Sequence, residues 1–277
     1  MRALLSSRFA AIVAFAVFTA LFSWAVWIWG YGAALIQMER RGQSDLALAA
    51  DRLTSELEGF RELAALVADH PSAKAALLGW TTGETLAQIA DKTGALDIAV
   101  AKPDGVVIAS ARGLMAPQTQ RAGFRRAMQG ALGVDHRFSE VFGRRVFVFT
   151  APVFSREGPV SGAVIVMVDV EAIEASWRGG RPAGFFTDDL GVVFISNRSE
   201  LVFRSRSGDL RAAAESADYR AGDVAPFFGY APRLWRGMTI WDIDGGRYLP
   251  AEALHLSLDM PTVGLMGEAL LDLAPVR

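Results

Sequence analysis

The chain has 277 residues, 52% of them hydrophobic and 21% charged, with a net charge of -2. Beside a membrane segment, that length leaves room for one or two domains of the usual ~100–150 residues, which excludes a large multidomain enzyme. Balanced charge argues against nucleic-acid binding, and the absence of cysteine excludes a disulfide scaffold, a thiolate zinc site, an iron–sulfur cluster and a cysteine nucleophile.

Residues 9–36 carry no charge over 28 positions, longer as a helix at ~1.5 Å per residue than the ~30 Å hydrocarbon core requires. They read as an uncleaved transmembrane helix after a short cytoplasmic N-terminus, residues 1–8. A cleaved signal peptide is the competing reading, but its apolar region would run only ~7–15 residues and no small-x-small site follows. Trp24, Trp27, Trp29 and Tyr31 gather toward one end, where amphipathic rings favour the headgroup level. Arg2 and Arg8 before the stretch against Arg40 and Arg41 after it leave the positive-inside rule near a tie. A long C-terminal part is translocated largely regardless of its charge, which permits an N-terminus inside.

Residues 37–75 read as a long amphipathic helix. Leu46, Leu53, Phe60 and Val67 recur every seven positions, and Ala50, Leu57 and Ala64 form a second such row. Such a stripe packs on a partner helix of a dimer or on the body of its own domain; dimerisation is the favoured expectation. Pro71 ends or kinks the pattern, Ser72 is placed to cap a following short helix, and another helix is expected over 81–92.

From Leu96 to Val170 the pattern changes to strands. Residues 96–101 and 106–110 flank the turn signal Lys102-Pro103-Asp104-Gly105 and read as a hairpin. A helix over Gln118–Leu132 and strands near 137–141, 145–154 and 160–168 follow. The expected class is α+β: an antiparallel five-stranded sheet with a helix crossing one face, an arrangement that leaves a small pocket between the two. Residues 179–184 (GGRPAG) read as a linker. A smaller second set then places strands at 184–189 and 192–196, around Trp241, and at 254–258 and 267–271, with a turn at Asp244-Gly245-Gly246.

Signatures of chemistry are missing. His70, His136 and His255 lie far apart and form no metal-ligand pair, so neither metal nor cofactor is expected. Asp188 and Asp189 are adjacent strand positions facing opposite ways, which suits a turn or solvated edge better than a catalytic pair. No Walker A or G-x-S-x-G pattern occurs, so no catalytic residue is assigned and the chain reads as a non-enzyme.

The segments SELEGFRELAALVADHPSAKAAL, DIAVAKPDGVVIAS, FRRAMQGALG, SGAVIVMVDVEAIEASW and FFTDDLGVVFIS, in this order, together with the final MPTVGLMGEALLDLAPVR, resemble the periplasmic sensor region of bacterial C4-dicarboxylate-sensing histidine kinases. The likeness runs over 39–277. It implies two tandem PAS-like (double Cache) domains, a membrane-distal ligand-sensing one at 76–178 and a membrane-proximal one at 179–277. It further implies a single-pass inner-membrane protein with its bulk in the periplasm, a homodimer through the long helix, a small carboxylate ligand and a place in a two-component signalling system. The sequence departs from the family in ending at Pro275-Val276-Arg277, where the second membrane helix would begin, and it carries no phosphoacceptor His box, Asn-rich box or Gly-rich lid. The kinase core is therefore expected outside this chain. The alternative is a non-sensing scaffold that binds a kinase or transporter through the long helix and is sensitive to charges at Leu53 and Phe60.

The family's Asn-Tyr-x-Phe-Arg-Pro-Tyr-Phe stretch falls on Pro117–Phe124, which sets its Arg on Arg121 and its Tyr on Gln118. Its polar Thr-Thr-Ser segment is replaced by Glu140, Val141 and Phe142, and the Lys of its Val-Val-Lys strand by Met167. The resemblance thus implies Arg121, Gln118, Glu140, Phe142, Phe147 and Met167 as ligand-binding residues. An Arg fork suits a carboxylate. Loss of the Lys and gain of Glu140 disfavour a dicarboxylate. The expected ligand is a monocarboxylate with an apolar or cationic tail met by Phe147, Met167 and Glu140; the other expectation is a pocket closed by an Arg121–Glu140 pair.

Overall fold

The computed structural model describes residues 2–80, 83–113, 116–175, 177, 180, 182–216, 219, 222–246 and 248–276. Contacts divide the chain into two units: one made of 1–45, 229–256 and 269–277, the other of 46–228 with 257–268.

Helix α1 (Arg2–Asp69) contains one stretch long and apolar enough to cross a membrane. From Val13 to Gly30 every residue is exposed except the half-buried Ile28. In the larger unit, α2 (Pro71–Leu77) follows α1 across a one-residue break. His70, not the expected Ser72, caps it: the His70 Nδ1 accepts from the Ser72 backbone N–H at 3.2 Å, and Pro71 takes the first helical position, where its missing N–H costs nothing. Helix α3 (Glu84–Thr93) ends on Gly94, whose φ of 74° is the left-handed stop that glycine supplies. Residues 81 and 82 of the helix expected over 81–92 lie outside the described residues.

Strands β1 (Asp97–Ala101) and β2 (Val107–Ser110), helix α4 (Ala122–Met128), and strands β3 (Gly133–Ser139), β4 (Arg144–Phe154) and β5 (Val160–Asp169) build an antiparallel sheet of order β2-β1-β5-β4-β3. This is the expected five-stranded layer. Both its faces are covered, so its strands read as near-continuous apolar runs while their residues still sort by parity. Ile98, Val100, Phe147, Phe149, Val164 and Val166 face one core with α1, α2 and α3; Ala99, Val146, Val148, Ile165 and Met167 face another with Phe124 and Ala127 of α4.

The heptad stripe is used here. Ala50, Leu53, Leu57, Ala64 and Val67 are buried in the first core, Leu46 is buried too, and Phe60 packs half-buried against it. This corrects the expectation that the stripe pairs with a partner helix: the apolar face of the sheet next to it in the same unit takes up its apolar area. Leu53 is fully buried, so a charge there strikes the core and does not report on an interface.

Helix α4 is shorter than the expected 118–132 because Arg121, its N-cap, is extended (φ -77°, ψ 131°) and Gly130 turns left-handed. Its start docks on β3 by backbone approach: the Gly123 N–H donates to Asp135 at 2.8 Å, and a Cβ on Gly133 would lie 2.0 Å from the Gly123 carbonyl oxygen. Gly133→Ala must therefore push α4 off the sheet. The expected cost is about 1–3 kcal/mol, read as a lower urea midpoint, while Gly59→Ala, with open space around it, should cost nothing.

Helix α5 (Val170–Ala175) leads to β6 (Ala183–Thr187) and β7 (Val193–Ser196). Residues 179 and 181 of the expected linker lie outside the described residues. A buried ion pair joins α5, β4 and β7: Arg145 donates both terminal nitrogens to Glu174 at 2.7 and 2.8 Å and one of them to the Phe194 carbonyl, while the Ser196 N–H donates to Glu174. Asp188 opens a turn, its carbonyl accepting from the Gly191 N–H at 2.9 Å, which is one of the two expected readings; it is not the other, a solvated edge. It is buried, accepting from the Tyr219 hydroxyl at 3.0 Å and from the Leu190 and Val192 N–H groups, while Asp189 stays exposed. Short strands β8 (Arg204–Ser205) and β9 (Ala225–Pro226) pair in parallel, with α6 (Leu210–Ser216) between them in sequence.

Strands β10 (Gly229–Trp235), β11 (Met238–Asp244), β12 (Glu252–Met260) and β13 (Leu265–Asp272) complete a second sheet of order β10-β11-β12-β13-β6-β7. β10 was not expected from the sequence. It is an exposed edge strand holding Pro232 and Arg233, with no apolar alternation to announce it.

Candidate functional site

Arg121 ends the extended approach to α4, and Arg137 lies in β3 on the face that α4 covers, two positions from Asp135 and four from Gly133. Both line a cavity of about 450 Å³ together with Gln118, Glu140, Glu215 and Tyr219. The structure thus brings three of the expected residues together: Arg121, Gln118 and Glu140. Gln118 is buried, with its side-chain N–H donating to the Ala116 carbonyl and its backbone N–H to Gly105. Glu140 is exposed in the turn after β3.

The other three stand elsewhere. Phe147 and Met167 are fully buried on opposite faces of the sheet, Phe147 against Phe194 and His136, Met167 in the core beneath α4. The register pairs Met167 with Val148, the neighbour of Phe147, so parity forbids the two from meeting one ligand. Phe142 packs half-buried against the same core as Met167. These three form core, not cavity wall.

Arg137 is the residue that sequence reasoning missed. It is 5% exposed, and its Nη1 has no hydrogen-bond partner among the described residues. Burial, reinforced by the neighbouring Arg121 guanidinium, holds Arg137 down at about 10 against the opposing pull of Asp135. A buried guanidinium beside a second one, with a donor left over, is costly for the empty protein and suited to an anion. The signal was present in the sequence: a strand begun at Gly133 puts Arg137 on the buried parity, whereas one begun at Arg137 hides it. Tyr219, on the cavity wall, is held well above its ordinary value by burial and by Asp188, and stays a neutral donor to that carboxylate.

No family model matches the chain. It is 26% identical over 239 residues to the C4-dicarboxylate transport sensor protein DctB of Pseudomonas aeruginosa, an alignment covering 81% of this chain and 38% of that protein. Among solved structures, the sensor domain of the V. cholerae histidine kinase DctB superimposes with a TM-score of 0.74 at 21% identity, covering 84% of this chain and 96% of that one. The chain carries the sensor fold of these histidine kinases. The ligand-binding domain of the Pseudomonas fluorescens chemoreceptor CtaA, in complex with L-serine, shares that sensor fold at a TM-score of 0.51 and 13% identity, covering 82% of this chain and 93% of that one. The chain spans well under half the length of DctB from Pseudomonas aeruginosa.

Proposed function

We propose that the chain is the membrane-anchored input module of a two-component sensor, single-pass in the bacterial inner membrane with its bulk in the periplasm. In this reading a membrane-distal PAS-like domain over 76–178 senses a small carboxylate and a membrane-proximal one over 179–277 relays the change to a kinase core that performs phosphotransfer. The observation that carries the ligand is the buried Arg137 guanidinium, with a donor unmatched among the described residues, lining one cavity with Arg121.

Two guanidiniums attract a carboxylate, whereas Glu140 and Glu215 on the same wall oppose a second anionic end and suit a cationic one. A monocarboxylate with a cationic tail therefore fits better than a C4-dicarboxylate. Binding transmits a signal only through its different affinity for two conformations of the module. A homodimer through the long helix would use the outward face of α1, where Leu48 and Leu66 are exposed, since the heptad stripe is taken up in the core.

The test is a thermal-shift and calorimetric screen of the full chain in detergent against acetate, 4-aminobutyrate, amino acids and succinate. A ligand at ~100 times its Kd stabilises by about 2.7 kcal/mol. An amino-carboxylate is expected to do so, and Arg121→Ala to abolish the response. Stronger stabilisation by succinate, or an unchanged response in Arg121→Ala, overturns the reading.

A further inference from the structure

We propose that the tip of the β10–β11 hairpin, Leu234-Trp235-Arg236, rests in the lipid headgroup layer of the membrane that α1 crosses; the inference relies on reading residues 9–36 as the span. The smaller unit supplies the argument. The Trp235 ring meets the Tyr31 ring edge-on, with centroids 5.6 Å apart, and Tyr31 in turn stacks on Trp27. The Arg236 guanidinium lies 4.9 Å from the Trp235 ring, and a Cβ on Gly32 would come within 3.0 Å of Arg236 Nη1. The tip therefore sits level with Tyr31 and Gly32, inside the uncharged stretch, while the first charge after that stretch is Glu39.

Helix length fixes what that level is. Among the described residues Gly32 is the first buried position of the helix, and Leu35 is fully buried. The part of the uncharged stretch that precedes Tyr31, residues 9–30, is about 33 Å long as a helix at ~1.5 Å per residue, close to the ~30 Å hydrocarbon core. The hairpin tip then marks the edge of the hydrocarbon, with Glu39 about 12 Å beyond Tyr31. Its composition suits that place. Leu234 is 76% exposed on an otherwise exposed strand, Trp235 adds an indole to the Trp27–Tyr31 belt, and Arg236 offers a fork to lipid phosphate. Arg236 also holds a φ of 47° in a two-residue turn where asparagine or glycine is the usual choice, so the basic side chain is kept against local preference.

The chain has no cysteine, so Leu234→Cys in the full chain can carry a single environment-sensitive fluorophore in phospholipid nanodiscs, with Phe18→Cys as a reporter inside the span. The Leu234→Cys label is expected to be quenched by lipid spin-labelled near the headgroup, with less quenching when Arg236→Glu is added. The Phe18→Cys label is expected to be quenched by lipid labelled deep in the acyl chain. Quenching at position 18 without quenching at 234 overturns the inference and leaves the span intact. Absence of quenching at both overturns the span, and the inference with it.

Discussion

Arg137→Met is expected to raise the melting temperature of the ligand-free protein and to abolish stabilisation by any carboxylate. The two effects share one cause. Arg137 is buried beside Arg121, and one of its donors has no partner among the described residues, so the fold bears the cost of a desolvated cation that only an anion relieves. Methionine keeps the length and removes the charge, which should stabilise by about 1–3 kcal/mol. The sign with pH follows from a folded-state value lowered to about 10 from the ordinary guanidinium range. The fold disfavours the protonated form, so the penalty is fully present below about 10 and is relieved only as pH rises beyond it. The gain of the variant should therefore be constant across neutral pH. Calorimetric melting with and without 4-aminobutyrate measures both effects. A variant that melts lower and still binds would show that Arg137 is structural.

Arg145→Met is expected to have the largest destabilising effect, about 3–5 kcal/mol, because it takes the two-pronged guanidinium away from the buried Glu174 carboxylate. Glu174 is 2% exposed and accepts from Arg145 and from the Ser196 N–H, so the loss reaches β4, α5 and β7 together. Adding Glu174→Leu should restore much of the stability, since removing both charges also removes the desolvation cost. Urea denaturation of the two single variants and the double one gives the coupling; simple additivity would rule out an acting pair. The exposed Arg52–Glu56 pair on α1 is the contrast, since such surface pairs contribute about 0–1 kcal/mol.

Much of this protein was legible before folding. The uncharged stretch, the α+β class and the five-stranded layer with its helix all follow from hydropathy and turn residues, which are local in the chain. The cavity was half legible. Gln118, Arg121 and Glu140 line one cavity, while Phe142, Phe147 and Met167 went to the core, because strand parity and register decide which face a residue takes and a motif alignment carries neither.

Tertiary structure alone decided the rest. A heptad stripe says that a helix has an apolar face, and whether a partner chain or its own sheet covers that face depends on what folds next to it; here Leu53 and Leu57 are closed in by Phe147, Val164 and their neighbours. Arg137 is one arginine among many in the sequence, and becomes a candidate anion site only when α4 closes over β3 and buries it. The edge strand β10 has no apolar period of its own and exists through pairing with β11. In each case the sequence determined the local preference, and the non-local contact that gave it meaning arose only on packing.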